Sequence, residues 1–476
     1  MRALTLMGAL ALLATGCSFT TAAGLDQCET SADCASDQVC TRNVCLPLPT
    51  GCNEKPFGST DPGAIAMAAL VPVHTSTEPG AGVDVSDEQA LNALLLALDE
   101  INQRGVVNKQ IALYYCDTAS DVERARRQAE WLVNDKKVAA VVTAGSSQSL
   151  EVAKVTIGKG VLLMSYSASS PELTVLSDTN NGAAPAGLVW RTSPSDAIQG
   201  SVIAHLLRTD SRFGPQTTTS KVGILYVDDP YGQGLANIIS DRLLNGDASR
   251  RVPNRTFSYP KRGDVKSAVD QLEMYAPNLT VLIGFADDAA AILKEAATRP
   301  TLQRIPDGPH RWFFSDSVKD AALLTDSQAA AQARGFHGTA PAQGTGQAFS
   351  TFQNRFLDKY KKDPAAYGYT SNAYDAMYLL ALSASWSLGT SNTVTGPKLA
   401  EGLTKVSTGA TSPQTQLTNS NFTYLSTELA AGRSVNVDGA SGQLDFDASG
   451  EARSPVELWQ VGTAGFETLP PTLDPP

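Results

Sequence analysis

Residues 138–165, VAAVVTAGSSQSLEVAKVTIGKGVLLMS, decide the fold class of this chain. An apolar run at 138–143 is followed by a helical pattern through 150–158 and by a second apolar run at 161–165. Strand, helix and strand in this order, with short turns between them, are typical of a parallel sheet that is covered by helices.

The same alternation extends through most of the chain. Strand-like and helix-like segments follow one another from about Ala64 to Ser165, and a second series begins near Val222. A third stretch, from about Ala340, contains a long apolar helix at 372–388. The sequence therefore predicts two α/β units rather than one.

A leucine-rich helix is predicted after the first strand. Ser86 and Gln89 fit a capping box at its start, and Gly105 is a typical stop. Between them, leucines recur at helical spacing on one face, which we assign to the core.

Composition excludes several classes of protein. With 476 residues, of which 42% are hydrophobic and 18% are charged, the chain can build two or more globular cores. Its formal charge of −11 makes nucleic acid or an anionic lipid surface a poor principal partner. No apolar run is long enough for a transmembrane helix.

The first 17 residues are interpreted as an export signal. A positive start precedes an apolar run at 3–14, and ATGC at 14–17 resembles a bacterial lipobox, in which the cysteine is acylated. We therefore expect Cys17 to carry lipid and to anchor the protein at the periplasmic face of a bacterial membrane. Ordinary signal cleavage is the alternative. Ser18, where Asp would favour the inner membrane, favours the outer membrane.

Six further cysteines support export, because disulfides form in oxidising compartments. Four of them lie at 28–45 in CETSADCASDQVCTRNVC, a polar segment that cannot bury a core. We expect two disulfides within it, with three possible connectivities, while a zinc site is the alternative. The remaining two form a plausible third pair. The six residues are Cys28, Cys34, Cys40, Cys45, Cys52 and Cys116.

A proline-rich spacer separates this segment from the α/β body. LPLPTGCNEKPF at 46–57 contains three prolines and has no periodicity. The expected organisation is a signal peptide at 1–17, a crosslinked segment with its linker at 18–58, and the α/β body from residue 59 onward.

Five motifs then follow in a specific order. They are LALDEINQRG at 96–105, GSSQS at 145–149 with SYSASSPEL at 165–173, WRTSPSDAIQG at 190–200, VDDPYGQG at 227–234, and GQLDFDASGE at 442–451. Together they resemble the periplasmic-binding-protein type I family, specifically the leucine/isoleucine/valine-binding proteins, from about Ala64 to Leu469.

The resemblance implies two doubly wound parallel-sheet lobes, joined by a three-segment hinge, that close on a ligand. It places the crossovers near Thr192, Ala340 and Val437. The lobes would then comprise 59–191 with 341–437, and 192–340 with 438–470.

Serine-rich loops offer a site for a carboxylate. GSSQS and SYSASS follow successive strands, and loops at the carboxyl ends of parallel strands meet where small ligands bind. Ser146 opens a helix, so its hydroxyl and nearby N–H groups can hold an anion, although plain N-capping is the alternative. By the resemblance, Ser167 and Ser169 donate hydrogen bonds to a ligand carboxylate.

The second lobe would supply the remaining contacts. By the resemblance, Asp316 pairs with the ligand amine, Tyr231 is a pocket tyrosine, and Phe285 falls near another aromatic pocket position. The alternatives are a helix cap for Asp316 and core packing for either ring.

Two departures from the family pattern stand out. No aromatic residue follows the first strand, where His74 is the bulkiest side chain, and this bears on ligand specificity. The family's first-lobe disulfide has one matching partner, Cys116, but Gly145 occupies the other position, which directs attention to Cys52.

Catalytic signals are missing from the sequence. It contains neither G-x-S-x-G nor H-E-x-x-H, and its four histidines lack metal-ligand spacing. DFDASGE at 445–451 resembles the start of a calcium loop, but the twelfth position is Val456, so we interpret it as a turn. We expect no enzyme, no cofactor and no metal.

The sequence therefore predicts an extracytoplasmic solute-binding lipoprotein. It would capture an amino acid or a similar small zwitterion as a monomer and deliver it to an ATP-driven permease in the inner membrane. The alternative is a sensory or scaffold lipoprotein that uses the same two lobes without transport.

Overall fold

The computed structural model describes residues 26–29, 31–35, 38–41, 43–213, 220–245, 251–303, 310–407 and 414–474. These residues form two compact units, one within Met1–Pro49 and one within Thr50–Pro476. The predicted signal peptide and the lipid site at Cys17 lie outside the described residues and stay predictions.

The smaller unit is held by two disulfides. Cys28 bonds to Cys40 and Cys34 bonds to Cys45, which selects one of the three possible connectivities. Because each of these sulfur atoms is bonded to another sulfur, none offers the thiolate that a zinc site requires. Two antiparallel strands complete the unit, β1 (Gln38–Thr41) and β2 (Val44–Pro47).

A six-stranded sheet forms the centre of the first lobe. Its strands are β3 (Phe57–Gly58), β4 (Ile65–Val71), β5 (Ile111–Asp117), β6 (Ala140–Thr143), β7 (Leu162–Ser165) and β8 (Val189–Arg191). They lie in the order β3-β5-β4-β6-β7-β8, and β4 to β8 are parallel. The first helices of this lobe are α1 (Val85–Arg104), α2 (Val122–Asn134) and α3 (Ser146–Thr156). This is a doubly wound arrangement.

The strand β3 shortens the predicted linker. Phe57 and Gly58 pair antiparallel with Leu113 and Ala112 at the sheet edge, so these two residues belong to the body and not to the spacer.

The second lobe repeats the arrangement. Its five parallel strands are β9 (Val222–Val227), β10 (Asn254–Tyr259), β11 (Leu279–Ile283), β12 (Arg311–Phe314) and β13 (His337–Pro341). Its helices are α4 (Asp196–Thr209), α5 (Pro230–Asn245), α6 (Lys266–Tyr275), α7 (Ala286–Ala297), α8 (Ala321–Thr325) and α9 (Ser327–Ala333).

The last part of the chain serves both lobes. The helices α10 (Gln347–Tyr360), α11 (Thr370–Ser391), α12 (Gly396–Leu403) and α13 (Asn419–Ala430) contribute to the first core, beside a small sheet of β14 (Gln414–Gln416), β15 (Asn436–Gly439) and β16 (Gly442–Gln443). Two antiparallel strands, β17 (Val456–Val461) and β18 (Phe466–Leu473), then extend the second sheet next to β13.

Helix α11 is buried on every side from Thr370 to Leu388, because it packs inside the first lobe. Its two tyrosines, Tyr374 and Tyr378, each donate a hydrogen bond of 2.6 Å to the buried carboxylate of Glu100 in α1. Among the described residues, no helix combines the length and the apolar character that a bilayer span requires.

The predicted capping box of α1 is wrong. The N-cap is Asp84, whose side chain accepts a hydrogen bond from the Asp87 N–H. Ser86 instead donates its hydroxyl proton to Asp320 of the second lobe. A carboxylate two residues earlier takes the capping position, and Ser86 becomes available for a contact between the lobes.

The chain passes between the lobes three times. The first passage follows β8, and the second follows β13. The third runs between Leu444, which belongs to the first core, and Val456 of β17. It is later than the expected crossover near Val437, because Val437 itself is buried in the first core.

The disulfide between Cys52 and Cys116 closes a loop of 64 residues in the first lobe. Replacing both cysteines with Ala removes this restraint on the unfolded chain and should lower the free energy of unfolding by about 4 kcal/mol. Denaturant unfolding followed by circular dichroism would measure the change. A loss below about 1 kcal/mol would contradict a restraint that acts mainly on the unfolded state.

Candidate functional site

A cavity of about 1140 Å³, counting its open mouth, lies between the two lobes. Its walls come from loops at the carboxyl ends of strands in both large sheets. In open α/β sheets, this is where ligands bind. The structure brings five of the six predicted contact residues to this one cavity: Ser146, Ser167, Tyr231, Phe285 and Asp316.

The serine end of the cavity belongs to the first lobe. Ser146 is the first residue of α3, and the N-cap is Gly145, which has φ 64° and no side-chain cap. The N-capping alternative for Ser146 is therefore wrong. Instead, the Ser146 hydroxyl accepts a hydrogen bond of 3.1 Å from the Ser170 N–H, and the Ser167 hydroxyl accepts one of 2.9 Å from the Gly145 N–H.

The start of α3 can receive an anion. The first N–H groups of a helix have no partner inside the helix, and its dipole places partial positive charge there. The first backbone hydrogen bond of α3 runs from the Ser149 N–H to the Gly145 carbonyl oxygen. A hydroxyl that accepts a hydrogen bond through its oxygen still has its own proton to donate. A carboxylate would find several donors at this end.

Ser169 lies behind the cavity wall and is buried. Its carbonyl accepts the N–H of Asp196, a fully buried residue at the start of α4. Burial, and next the nearby charge of Asp316, raise the pKa of Asp196 well above its usual range, while Ser169 and Arg191 oppose the shift. Sequence reasoning missed Asp196, although it is the acidic residue of WRTSPSDAIQG.

The opposite end of the cavity is built around Asp316. One carboxylate oxygen accepts a hydrogen bond of 2.6 Å from the Tyr231 hydroxyl, and the other accepts one from Tyr369. Asp316 does not cap the helix that follows, because Asp320 is the N-cap of α8. Burial and the Asp316 charge raise the pKa of both tyrosines well above the usual value, so both stay protonated as donors.

Tyr369 was not predicted from the sequence. It precedes α11 in the first lobe and adopts a left-handed backbone conformation with φ 60°. Its hydrogen bond to Asp316 therefore connects the two lobes. A non-glycine residue in that conformation is uncommon, but only the structure could reveal it, since the residue carries no local turn signal.

An aromatic and cationic patch lines the second-lobe wall. The ring of Phe285 lies 5.8 Å from that of Tyr231, and the Lys261 Nζ lies 4.0 Å from its centroid. Phe285 lines the cavity and also packs against the second core. Burial lowers the pKa of Lys261, with Arg262 contributing in the same direction. The sequence analysis had identified neither Lys261 nor Arg262 as a cavity residue.

Two carboxylates from the start of α1 face this patch. Asp84 and Asp87 line the cavity, and Asp87 accepts a hydrogen bond of 2.6 Å from the Tyr166 hydroxyl. Burial, and then the Asp84 charge, raise the pKa of Asp87 to about 8. His74 is directed elsewhere and pairs through its Nδ1 with Asp117 at 2.5 Å.

A buried guanidinium holds the serine loop in place. Arg191, at the end of β8, is 2% exposed. It donates to the carbonyl oxygens of Ala168 and Ser170, to the Thr174 hydroxyl, and to the Glu451 carboxylate. The loop that carries Ser167 and Ser169 is thereby attached to the first and third passages between the lobes.

Replacing Asp87 with Asn tests the charge state of this wall. Because the folded-state pKa lies above the unfolded value, the folded protein binds an extra proton between them, and stability is lost as the pH rises through 8. The melting temperature of the ligand-free protein should therefore fall as the pH rises from about 5 to about 8 and level off above that, and Asp87→Asn should reduce that fall.

The matched control is Asp358→Asn, since the Asp358 side chain is 90% exposed. This variant should keep the wild-type pH dependence, as measured by differential scanning fluorimetry. If the melting temperature changes with pH equally in the wild type and in Asp87→Asn, this result would contradict the raised pKa of Asp87.

Comparisons with known proteins identify relatives over most of the chain. A family model described as periplasmic binding protein matches residues 73–421. The chemotactic signal transduction system substrate-binding protein BasB of Halobacterium salinarum is 26% identical over 408 residues, which cover 85% of this chain and 88% of that protein. The Leu/Ile/Val/Thr-binding protein of Salmonella typhimurium is 29% identical over 152 residues, which cover 32% of this chain and 38% of that protein.

Solved structures share the fold. The crystal structure of a leucine-binding protein from Thermotoga maritima has a TM-score of 0.67 at 17% identity, and the alignment covers 87% of this chain and 99% of that one. The two-lobed α/β architecture described above is therefore the architecture of that protein as well.

Proposed function

The chain belongs to the periplasmic binding protein family, type I, of the leucine/isoleucine/valine-binding kind, and we propose that it captures an amino acid or a similar small zwitterion outside the cytoplasm. One observation carries the proposal: the same cavity offers hydrogen-bond donors at the start of α3 and an acidic side chain, Asp316, on the opposite lobe. These are the partners that the two charged ends of a zwitterion require.

The carboxylate end would bind first to the first lobe. Ser146, Ser167 and the first N–H groups of α3 already have fixed positions, because hydrogen bonds join the two serine loops. A preorganised donor set loses little conformational freedom on binding, so more of the interaction energy remains for affinity. Ser169 is buried behind the cavity wall, so it would support the serine loop rather than contact the ligand.

The ammonium end would be held by Asp316 after closure. Tyr231 and Tyr369 orient its carboxylate through their hydroxyl groups. Asp196 lies nearby, but its burial and the Asp316 charge raise its pKa and favour its neutral form. A desolvated ammonium needs an opposite charge such as that of Asp316 nearby, because an unpaired buried charge is costly.

Closure follows from contacts that both lobes share with the ligand. A ligand shifts the balance between open and closed forms only by binding one form more tightly than the other. The serines belong to the first lobe and Asp316 to the second, so a single ligand that contacts both favours the closed form. Phe285 and Tyr231 would enclose its side chain.

Two biological roles fit a binding protein of this kind. In the first, the protein delivers its ligand to an ATP-driven permease, as the similarity to amino-acid-binding proteins suggests. In the second, it reports the ligand to a partner; the name of the Halobacterium relative and the additional disulfide-bonded unit favour this role. In both, lipid on Cys17 would keep the protein at a membrane face.

A thermal-shift screen against amino acids, small peptides and related acids tests the proposed function. A ligand at a hundredfold over its dissociation constant should stabilise the folded protein by about 2.7 kcal/mol. Asp316→Asn retains the shape of the side chain but removes its charge, and should weaken binding by roughly thirtyfold or more, because a buried ammonium loses its partner. Calorimetry would measure the affinity.

Ser146→Ala tests the other end of the cavity and should also weaken binding. Ser201→Ala and Asp358→Asn are the matched controls, since Ser201 donates only to a carbonyl of its own helix and Asp358 is exposed. Unchanged affinity in both cavity variants, with melting temperatures that show intact folding, would refute this pocket.

A further inference from the structure

One residue of the second lobe reaches across the cavity into two loops of the first. Arg262 follows β10, and its guanidinium donates to the Thr75 carbonyl at 2.9 Å and to the Ser120 hydroxyl at 3.1 Å. It also lies 3.4 Å from a carboxylate oxygen of Asp84. All three acceptors belong to the first lobe, so these contacts exist only while the lobes are together.

The backbone at Arg262 is held in an uncommon conformation. Its φ is 51°, in the left-handed region that a residue with a long side chain seldom adopts. The Arg262 N–H donates a hydrogen bond of 2.7 Å to Asp288, whose side chain is buried in the first turn of α7. A strained backbone persists where its surroundings hold it, and such sites are frequently functional. Here, the buried aspartate directs the arginine over the cavity.

Arg262 differs in position from the groups that would bind the zwitterion. Its interlobe contacts lie on the loop after β4, on the loop after β5 and at the N-cap of α1. The carboxylate and ammonium ends proposed above lie at α3 and at Asp316 instead. An arginine that bridges the two lobes away from the carboxylate and ammonium sites can favour closure without selecting among ligands.

We propose that Arg262 is an interlobe latch: it stabilises the closed form and thereby slows ligand release, but it does not select the ligand. Only the statement about release rests on the proposed function. The effect on closure does not depend on any ligand, because the three acceptors are parts of this chain.

The planar guanidinium suits this role. It presents several N–H donors in a fixed fork, so one side chain can bond a carbonyl and a hydroxyl on different loops at once. A lysine would keep the charge but could not reproduce the fork. The contact with Asp84 is partly open to solvent, so we expect the two neutral acceptors to carry much of the effect.

Small-angle X-ray scattering of the ligand-free protein tests the latch directly. Arg262→Ala should increase the radius of gyration relative to the wild type, and Arg262→Lys should give an intermediate value. The matched control is Arg255→Ala, which removes the same charge at the opposite end of β10, where Arg255 stacks on Phe257. This control should scatter like the wild type.

A double-variant comparison tests whether the contact is direct. Ser120→Ala should open the wild-type protein slightly and should add little to Arg262→Ala, because one interaction cannot be lost twice. Fully additive effects of the two substitutions would contradict a direct contact between these side chains.

An equimolar mixture of the twenty standard amino acids serves as the ligand probe. It should reduce the radius of gyration of both Arg262→Ala and the wild type, and dissociation measured after dilution should be about tenfold faster in Arg262→Ala, because the closed form is less stable. Amino acids titrated one at a time should keep the same order of affinity in the variant and in the wild type. A changed order of affinity among the amino acids would mean that Arg262 takes part in ligand selection, and would overturn the latch.

The two proposals can fail separately. If neither the mixture nor the peptides and related acids of the thermal-shift screen stabilise the wild type, the proposed function fails, while a larger radius of gyration for ligand-free Arg262→Ala still supports the latch. Equal radii for ligand-free wild type and Arg262→Ala overturn the latch, whatever the mixture does.

Discussion

The buried guanidinium of Arg191 connects the parts of this protein that must act together. It bonds the serine loop through Ser170 and Thr174, and it bonds Glu451, which lies on the third passage between the lobes. A charge removed from water is tolerated only when it is paired and hydrogen-bonded. The serine loop and two of the three interlobe passages are therefore held in one arrangement.

Further contacts join the two lobes around the cavity. Tyr369 bonds Asp316, Arg262 reaches the loops after β4 and β5, and Ser86 bonds Asp320. The ligand ends that we propose lie among these contacts. Affinity then depends on two separate contributions, the fit of the ligand to the donors and acceptors, and the stability of the closed form itself.

At the start of α1, the sequence predicted the helix correctly but assigned the wrong role to Ser86. A helix from about Ser86 to Gly105 was predicted, and the helix is present. Its cap, however, is Asp84, and Ser86 bonds Asp320 of the other lobe. Both residues are good caps, and only the approach of the second lobe gives Ser86 another partner. The third passage was misplaced for a related reason, because the turn after β15 stays in the first core.

Local sequence was sufficient for the alternation of strands and helices, for the two units of α/β structure, and for serines and an aspartate at strand ends, because periodicity and loop position act over short distances. It could not indicate Asp196, Tyr369, Lys261 or Arg262 as neighbours of the cavity. These residues come from separate segments, and no local pattern marks them as neighbours of one cavity. The raised pKa values of Asp196 and Tyr369, the lowered pKa of Lys261, the interlobe hydrogen bonds of Tyr369 and Arg262, and the pairing of the cysteines depend on tertiary structure. They arise only when long-range packing brings distant segments together and removes water from between them.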